Sequence, residues 1–232
     1  MKVLSTKKNL QVLYEDNHVI AVNKRVGDIV QGDKTGDKPL SEVVKEYLKE
    51  KYNKPGEVFL GVVHRLDRPT SGIVVFARTS KALARLNDLF KNRETQKTYW
   101  AIVRQKPQQD SGTLTHYLKR NEKTNTSKAH VKEVPDSKIA VLDYLVIQHL
   151  NNYTVLEINL HTGRHHQIRA QLSAIGSPIK GDLKYGFDRS NPDGGIHLHA
   201  RRLALVHPVS KEPLEIVAPV PDDVLWNAIQ NT

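Results

Sequence analysis

The chain contains no cysteine. That absence excludes disulfides, thiol nucleophiles and zinc or iron–sulfur sites built on thiolates. No run approaches the roughly 20 apolar residues of a membrane span. The opening MKVLSTKKNLQVLYED has no apolar signal core and no cleavage signature, so a cytoplasmic protein is expected. Glycine-rich phosphate loops of the Walker or Rossmann kind are missing. So are internal repeats and any composition break that marks an inter-domain linker. Acids are also short: Lys+Arg 35 against Asp+Glu 25 leaves a net charge of +10. A folded domain this basic suits a polyanionic partner, because releasing counterions from phosphates drives binding. Charge alone would equally fit a merely soluble basic protein.

What remains is an ordinary globular composition, 38% hydrophobic and 26% charged over 232 residues. That length serves one large domain or two small lobes sharing a sheet. Residues 1–9 read as a polar tail and residues 10–232 as the folded domain. LQVLYEDNHVIAVNK carries two β-rich runs broken at Glu15-Asp16-Asn17, a hairpin pattern. A Gly-Asp loop follows. PLSEVVKEYLKEKY then places Leu40, Val43, Val44, Tyr47 and Leu48 at helical spacing, with Ser41 as N-cap. TSKALARLNDLFKN is a second amphipathic helix and TQKTYWAIVRQ a strand. KRNEKTNTSKAH, residues 119–130, is polar enough to read as an exposed loop. AVLDYLVIQHL and NYTVLEINL pair across Asn151-Asn152. A helix entered from HTGRHH stops at Gly176 and Pro178, two more strands follow, and VLWNAIQ forms a short closing helix. Strands outnumber helices and most neighbours can pair as hairpins. The expectation is an α+β fold on a mostly antiparallel sheet.

Three stretches carry chemistry. HRLDRPTSG, residues 64–72, sets Asp67 between Arg65 and Arg68 at a corner between the apolar runs VFLGVV and IVVFA. Nearby cations favour the carboxylate form, and a carboxylate at such a corner serves as nucleophile or base. A turn aspartate that caps its own backbone or pairs with Arg68 has the same pattern. In LHTGRHHQIRAQL, a helix starting near His166 projects Arg169 from its first turns. It also sets Arg164 near the N-terminal end, where backbone N–H groups favour phosphate. His161, His165 and His166 lack the spacing and glutamate of a helical zinc motif. With His197 and His199, which alternate along a strand, they read as RNA contacts or a hydrogen-bonded rim rather than metal ligands. In TQKTYWAIV, Tyr99 and Trp100 point to opposite faces. One can pack in the core while the other stacks a base. Two buried aromatics is the plainer alternative.

Taken in order, HRLDRPTSG, KTYWAIV and LHTGRHHQIRAQLSAIGSPIKGDLKYG resemble the RluA-type RNA pseudouridine synthases. The likeness extends to VLYEDNHVIAVNK and LHARRLALVHP, spanning roughly residues 10–221. It implies a mixed, mostly antiparallel bent sheet with flanking helices and a central catalytic cleft. It implies an enzyme that flips a uridine out of folded RNA, breaks N1–C1′, turns the uracil and joins C5 to C1′, with no cofactor and no metal. The essential aspartate falls on Asp67. The family's cleft tyrosine falls on Tyr99, stacking on the base and assisting proton removal at C5. The paired arginine falls on Arg169, holding Asp67. Arg65 inherits the filling of the gap left by the base, and Arg68, Arg164, His166 and Gln167 complete the expected RNA contacts. Attack at C1′, addition to the ring and abstraction of the 2′ proton all stay open for Asp67, the last being favoured.

Two departures stand out: Lys24-Arg25-Val26-Gly27 where the family often has K-P-x-G, and Ile196-His197-Leu198-His199-Ala200 where it has Q-A-L-H-A. The chain matches the short form without an S4-like RNA-binding domain. Recognition of its RNA, rRNA or tRNA, would then fall to the catalytic surface, including the basic stretch 119–130, on a monomer. A non-catalytic RNA-binding or chaperone protein of the same fold is the alternative. A hydrolase using Asp67 as nucleophile would need a second carboxylate and Mg²⁺, and no acid lies close to Asp67 in sequence.

Overall fold

The computed structural model describes residues 4–33 and 35–229. The first three residues of the polar tail, Lys34 of the Gly-Asp loop and Gln230 of the expected closing helix lie outside the described residues. Along the chain run β1 (Val12–Glu15), β2 (Val19–Lys24), α1 (Leu40–Lys51), β3 (Gly61–Val62), β4 (Ser71–Ala77), α2 (Ser80–Asn92) and β5 (Gln96–Val103). There follow β6 (Ser111–Asn121), β7 (Thr126–His130), β8 (Lys138–His149), β9 (Thr154–Leu160) and α3 (Gln167–Ala174). The 3₁₀ turn Leu183–Tyr185, β10 (Leu198–Val206), β11 (Pro213–Val217) and α4 (Val224–Asn227) complete the order. Two compact units result: Met1–Lys97 with Ala200–Pro221, and Thr98–His199 with Asp222–Thr232.

In the first unit the strand order is β1-β2-β4-β10, with β11 on β10 and β3 on β4. Asp16 makes the β1–β2 turn by accepting the N–H groups of His18 and Val19, each at 2.7 Å. Every residue of β2 and β4 is buried, as suits central strands. Val19, Ala21, Ile73 and Val75 meet Ala82 and Leu86 of α2 in one core. Thr79 caps α2 by accepting the Ala82 N–H at 3.2 Å. The cap expected at Ser41 does not form: Pro39 holds the N-cap position of α1, and Ser41 is buried inside the helix. The amides of Leu40 and Ser41 donate instead to the carbonyls of Ile29 and Val30, so they need no side-chain cap.

The strands of the second unit run in the order β5-β9-β8-β6-β7, each adjacent pair antiparallel. Ala101, Val103, Leu142, Leu156 and Ile158 from its strands pack on Ile168 and Leu172 of α3. Residues 119–130, expected as a loop, are a paired hairpin with only the turn 122–125 between β6 and β7. The Asn121 carboxamide oxygen accepts the N–H groups of Lys123 and Thr124 to make that turn. The strands were hidden because their inward positions are few and small. Leu118, Ala129 and Ser127 face in, while the polar residues between them mask the two-residue period. The architecture is α+β and mostly antiparallel, in agreement with the sequence.

Candidate active site

The corner that carries Asp67 lies in the first unit, between β3 and β4, which pair through Gly61↔Ala77 and Val62↔Phe76. Four contacts fix its backbone. The Thr70 N–H donates to the Asp67 carbonyl at 3.0 Å, closing a tight turn. Gly27 N–H donates to the Arg68 carbonyl at 2.8 Å. His64 Nε2 accepts the Val75 N–H at 3.0 Å while its ring stacks on Phe90. Gly72 sits at φ +113°, and a Cβ there would lie 2.4 Å from the Ala200 carbonyl oxygen, so only glycine fits.

Beneath the corner is Lys24, 1% exposed. Its ammonium donates to the carbonyls of Thr70 at 2.7 Å, Arg25 at 2.9 Å and Arg68 at 3.2 Å. Three carbonyl oxygens around the ammonium offset the cost of burying the cation. It binds the two loops, 25–28 and 67–70, into one block.

Asp67 is half-buried and Arg65 exposed. Arg68 reaches away to the Gly-Asp loop, donating to Asp37 at 2.5 Å, Thr35 at 2.9 Å and Asp33 at 3.4 Å. The expected role of Arg68 as a close cation for Asp67 is therefore corrected: its charge is directed at two other acids. Those carboxylates raise the Arg68 pKa. Burial, reinforced by the charge of Lys97, pushes the His64 pKa down to about 3. His64 is therefore neutral, with its proton on Nδ1.

The second unit carries Tyr99 on β5 and Arg169 on α3. Trp100 is the core aromatic, 8% exposed, its indole N–H donating to Glu157 at 3.3 Å. Tyr99 takes the other face, half-buried at the edge of the same unit's core. Arg169 is buried. Its Nε and Nη2 donate to the two oxygens of Asp182 at 2.7 and 2.8 Å, and its guanidinium lies 4.9 Å over the Tyr185 ring.

The turn before α3 is locked by Gln167. Its amide oxygen accepts from Thr162 Oγ1 at 2.7 Å and from the Arg164 N–H at 3.0 Å, and its nitrogen donates to the Val141 carbonyl at 3.1 Å. At 3% exposure Gln167 is engaged in shaping the turn. Arg164 is half-buried with Nε on the Ile139 carbonyl at 3.0 Å. His166 is left-handed at φ +53°, and its Nδ1 meets the Tyr185 hydroxyl at 2.9 Å. His197 and His199 are buried and pack beside Trp226, so neither forms a rim. Among the described residues no group of three His, Asp or Glu is placed to hold a metal ion.

A family model described as RNA pseudouridylate synthase matches residues 18–174, which takes in the Asp67 corner, β5 and the whole of α3. The chain belongs to the RluA-type RNA pseudouridine synthases. It is 33% identical to an uncharacterized RNA pseudouridine synthase of Chlorobaculum parvum, covering 93% of this chain and 72% of that protein. It is 34% identical to the ribosomal large subunit pseudouridine synthase D of Xylella fastidiosa, covering 93% and 67%. Human RNA pseudouridylate synthase domain containing 1 shares 26% identity over 95% of this chain and 87% of its own, with a TM-score of 0.73. Human RNA pseudouridylate synthase domain containing 4 shares the fold, with a TM-score of 0.79 over 93% and 90%.

For a pseudouridine synthase three residues of these surroundings were missed in the sequence. Asp182 could have been found from Arg169, because a buried guanidinium requires a carboxylate and KGDLKYG supplies one. Tyr185 lies in the same stretch. Lys24 carried no signal of burial: one lysine at the end of an apolar strand normally reaches solvent.

Proposed function

We propose that this enzyme isomerises a specific uridine of large-subunit ribosomal RNA, with Asp67 as the catalytic carboxylate, Tyr99 at the base and Arg169 holding Asp67. The observation that carries the reading is the construction of the two halves. Lys24, Gly27 and the turn at Thr70 immobilise the backbone around Asp67. Asp182 and Tyr185 immobilise Arg169. Such rigidity suits a group that must be held in one geometry while a flipped base arrives. The choice of ribosomal RNA follows the name of the Xylella relative.

In the proposed reaction the Asp67 carboxylate takes the C2′ proton as N1–C1′ breaks, leaving a glycal and a uracil anion. The uracil turns, C5 bonds to C1′ and C2′ recovers its proton. The proton on C5 then leaves with help from the Tyr99 hydroxyl, and N1 ends protonated. The product is an isomer, so the steps balance without a further reactant. Unstacking the base costs a few kcal/mol. Exposed Arg65 is assigned to fill the gap. Arg68, Arg164 and His166 are assigned to the RNA backbone, Arg68 exchanging its surface acids for phosphate. The reading takes the enzyme to be cytoplasmic, monomeric and free of metal and cofactor, with RNA as its partner.

The test is pseudouridine mapping of total RNA from cells with and without the gene, by carbodiimide labelling and primer extension. Loss of a site in large-subunit RNA supports the reading. Loss of a site in transfer RNA alone overturns the substrate. Purified protein that binds unmodified transcripts but forms no pseudouridine would make it a binding protein of the same fold.

A further inference from the structure

The β6–β7 hairpin presents two different faces. Outward, Lys119 and Lys128 are direct cross-strand partners, flanked by the pair Tyr117 and His130. Like charges placed opposite each other repel. Asp136, 3.7 Å from Lys119 and itself exposed, offsets this only weakly. Lys123 is exposed at the tip. Paired cations beside an aromatic ring form a strip suited to phosphates and bases.

Inward, the hairpin is fastened to the surroundings of α3 by one buried residue, Ser127. Its N–H donates to the Tyr185 hydroxyl at 2.7 Å. Its own hydroxyl meets the His165 carbonyl at 2.8 Å and His165 Nδ1 at 2.9 Å. Nearer the tip, Asn125 meets His165 Nε2 at 3.1 Å, and Lys184 reaches the carbonyls of Thr124 and Asn125. Tyr185 is the junction. Its oxygen accepts the Ser127 N–H and meets His166 Nδ1, while its ring lies under the Arg169 guanidinium.

We infer that Tyr185 is a positioning residue: its hydroxyl clamps the β6–β7 hairpin so that the Lys119–Lys128 strip meets the RNA, while its ring supports Arg169. The inference rests on the RNA-modifying reading above and adds a residue and a binding surface to it. The two parts of the side chain then have separable effects. The hydroxyl acts on RNA binding and the ring acts on turnover.

The experiment compares wild type, Tyr185→Phe and Tyr185→Leu with an unmodified rRNA transcript, alongside amide hydrogen exchange of the free proteins. Tyr185→Phe keeps the ring. It is expected to speed exchange at Ser127 at least tenfold and to raise KM about fivefold, with kcat within twofold of wild type. Ser127→Ala, which removes the link to His165 from the hairpin side, should raise KM in the same way. Tyr185→Leu should in addition lower kcat. Unchanged Ser127 exchange in Tyr185→Phe, or a fall in kcat at constant KM, overturns the clamp. A wild type inert on every transcript refutes the RNA-modifying reading instead, and the exchange result still decides whether the hydroxyl holds the hairpin.

Discussion

Arg169 and Asp182 form a two-point ion pair inside the second unit, at 2.7 and 2.8 Å, with the two residues 5% and 1% exposed. Neither charge could be buried alone without a large desolvation cost, so each is the condition for the other. Asp182→Asn keeps the shape and removes the charge. It is expected to destabilise the protein by roughly 3–5 kcal/mol, the cost of stranding a buried charge, and to lower turnover by misplacing Arg169. Chemical denaturation measures the first effect; a variant within about 1 kcal/mol of wild type, inside the range of an exposed pair, contradicts it.

Lys24→Met preserves length and apolar volume but removes all three donors beneath the Asp67 corner. Carbonyls of Arg25, Arg68 and Thr70 would lose a charged partner, at a combined cost of about 3 kcal/mol. Because two of them belong to the turn that begins at Asp67, kcat should fall more than RNA affinity. Turnover equal to wild type in a stably folded variant would refute the anchoring role.

His64 gives a pH dependence of defined sign. Its folded pKa is depressed to about 3 from 6.5, chiefly by burial and then by Lys97. The unfolded chain therefore binds more protons in this window. The contribution is present above pH 6.5 and is lost as pH falls towards 3. Protonation removes the lone pair that receives the Val75 N–H. The slope from this one group is at most about 1.4 kcal/mol per pH unit. His64→Gln, whose oxygen can still accept that N–H, should flatten the acid limb of stability against pH; an unchanged limb would assign the loss elsewhere.

RNA affinity should depend steeply on salt, since each phosphate neutralised contributes about 0.7–0.9 to the slope of log K against log salt. Replacing Lys119 and Lys128 together with Gln should lower that slope by nearly two such contributions. A slope unaffected by the double substitution would remove the hairpin from the RNA face.

Much of this was legible beforehand, for identifiable reasons. The β1–β2 hairpin showed through its Glu15-Asp16-Asn17 break, and α2 through its apolar spacing, because these are local signals. The Asp67 corner, β5 and the turn into α3 were marked by long motifs. What escaped depended on tertiary partners. Ser41 was displaced as a cap because loop carbonyls from residues 29 and 30 reached the helix first. β6–β7 was concealed because its packing rests on Leu118, Ala129 and a hydrogen-bonded Ser127 rather than on a large apolar face. The burial of Gln167 could not be read beforehand, because nothing in a sequence shows that an amide will find two partners in its own turn and a third on β8.

The proposed reaction turns on Asp67, and the most direct measurement is pseudouridine formation by purified Asp67→Asn on an unmodified large-subunit rRNA transcript, with RNA binding and thermal unfolding recorded on the same preparation. Product is expected from wild type and none from the variant, with binding and melting temperature close to wild type. Pseudouridine formed at a rate near wild type, or a variant that folds but no longer binds RNA, would contradict it.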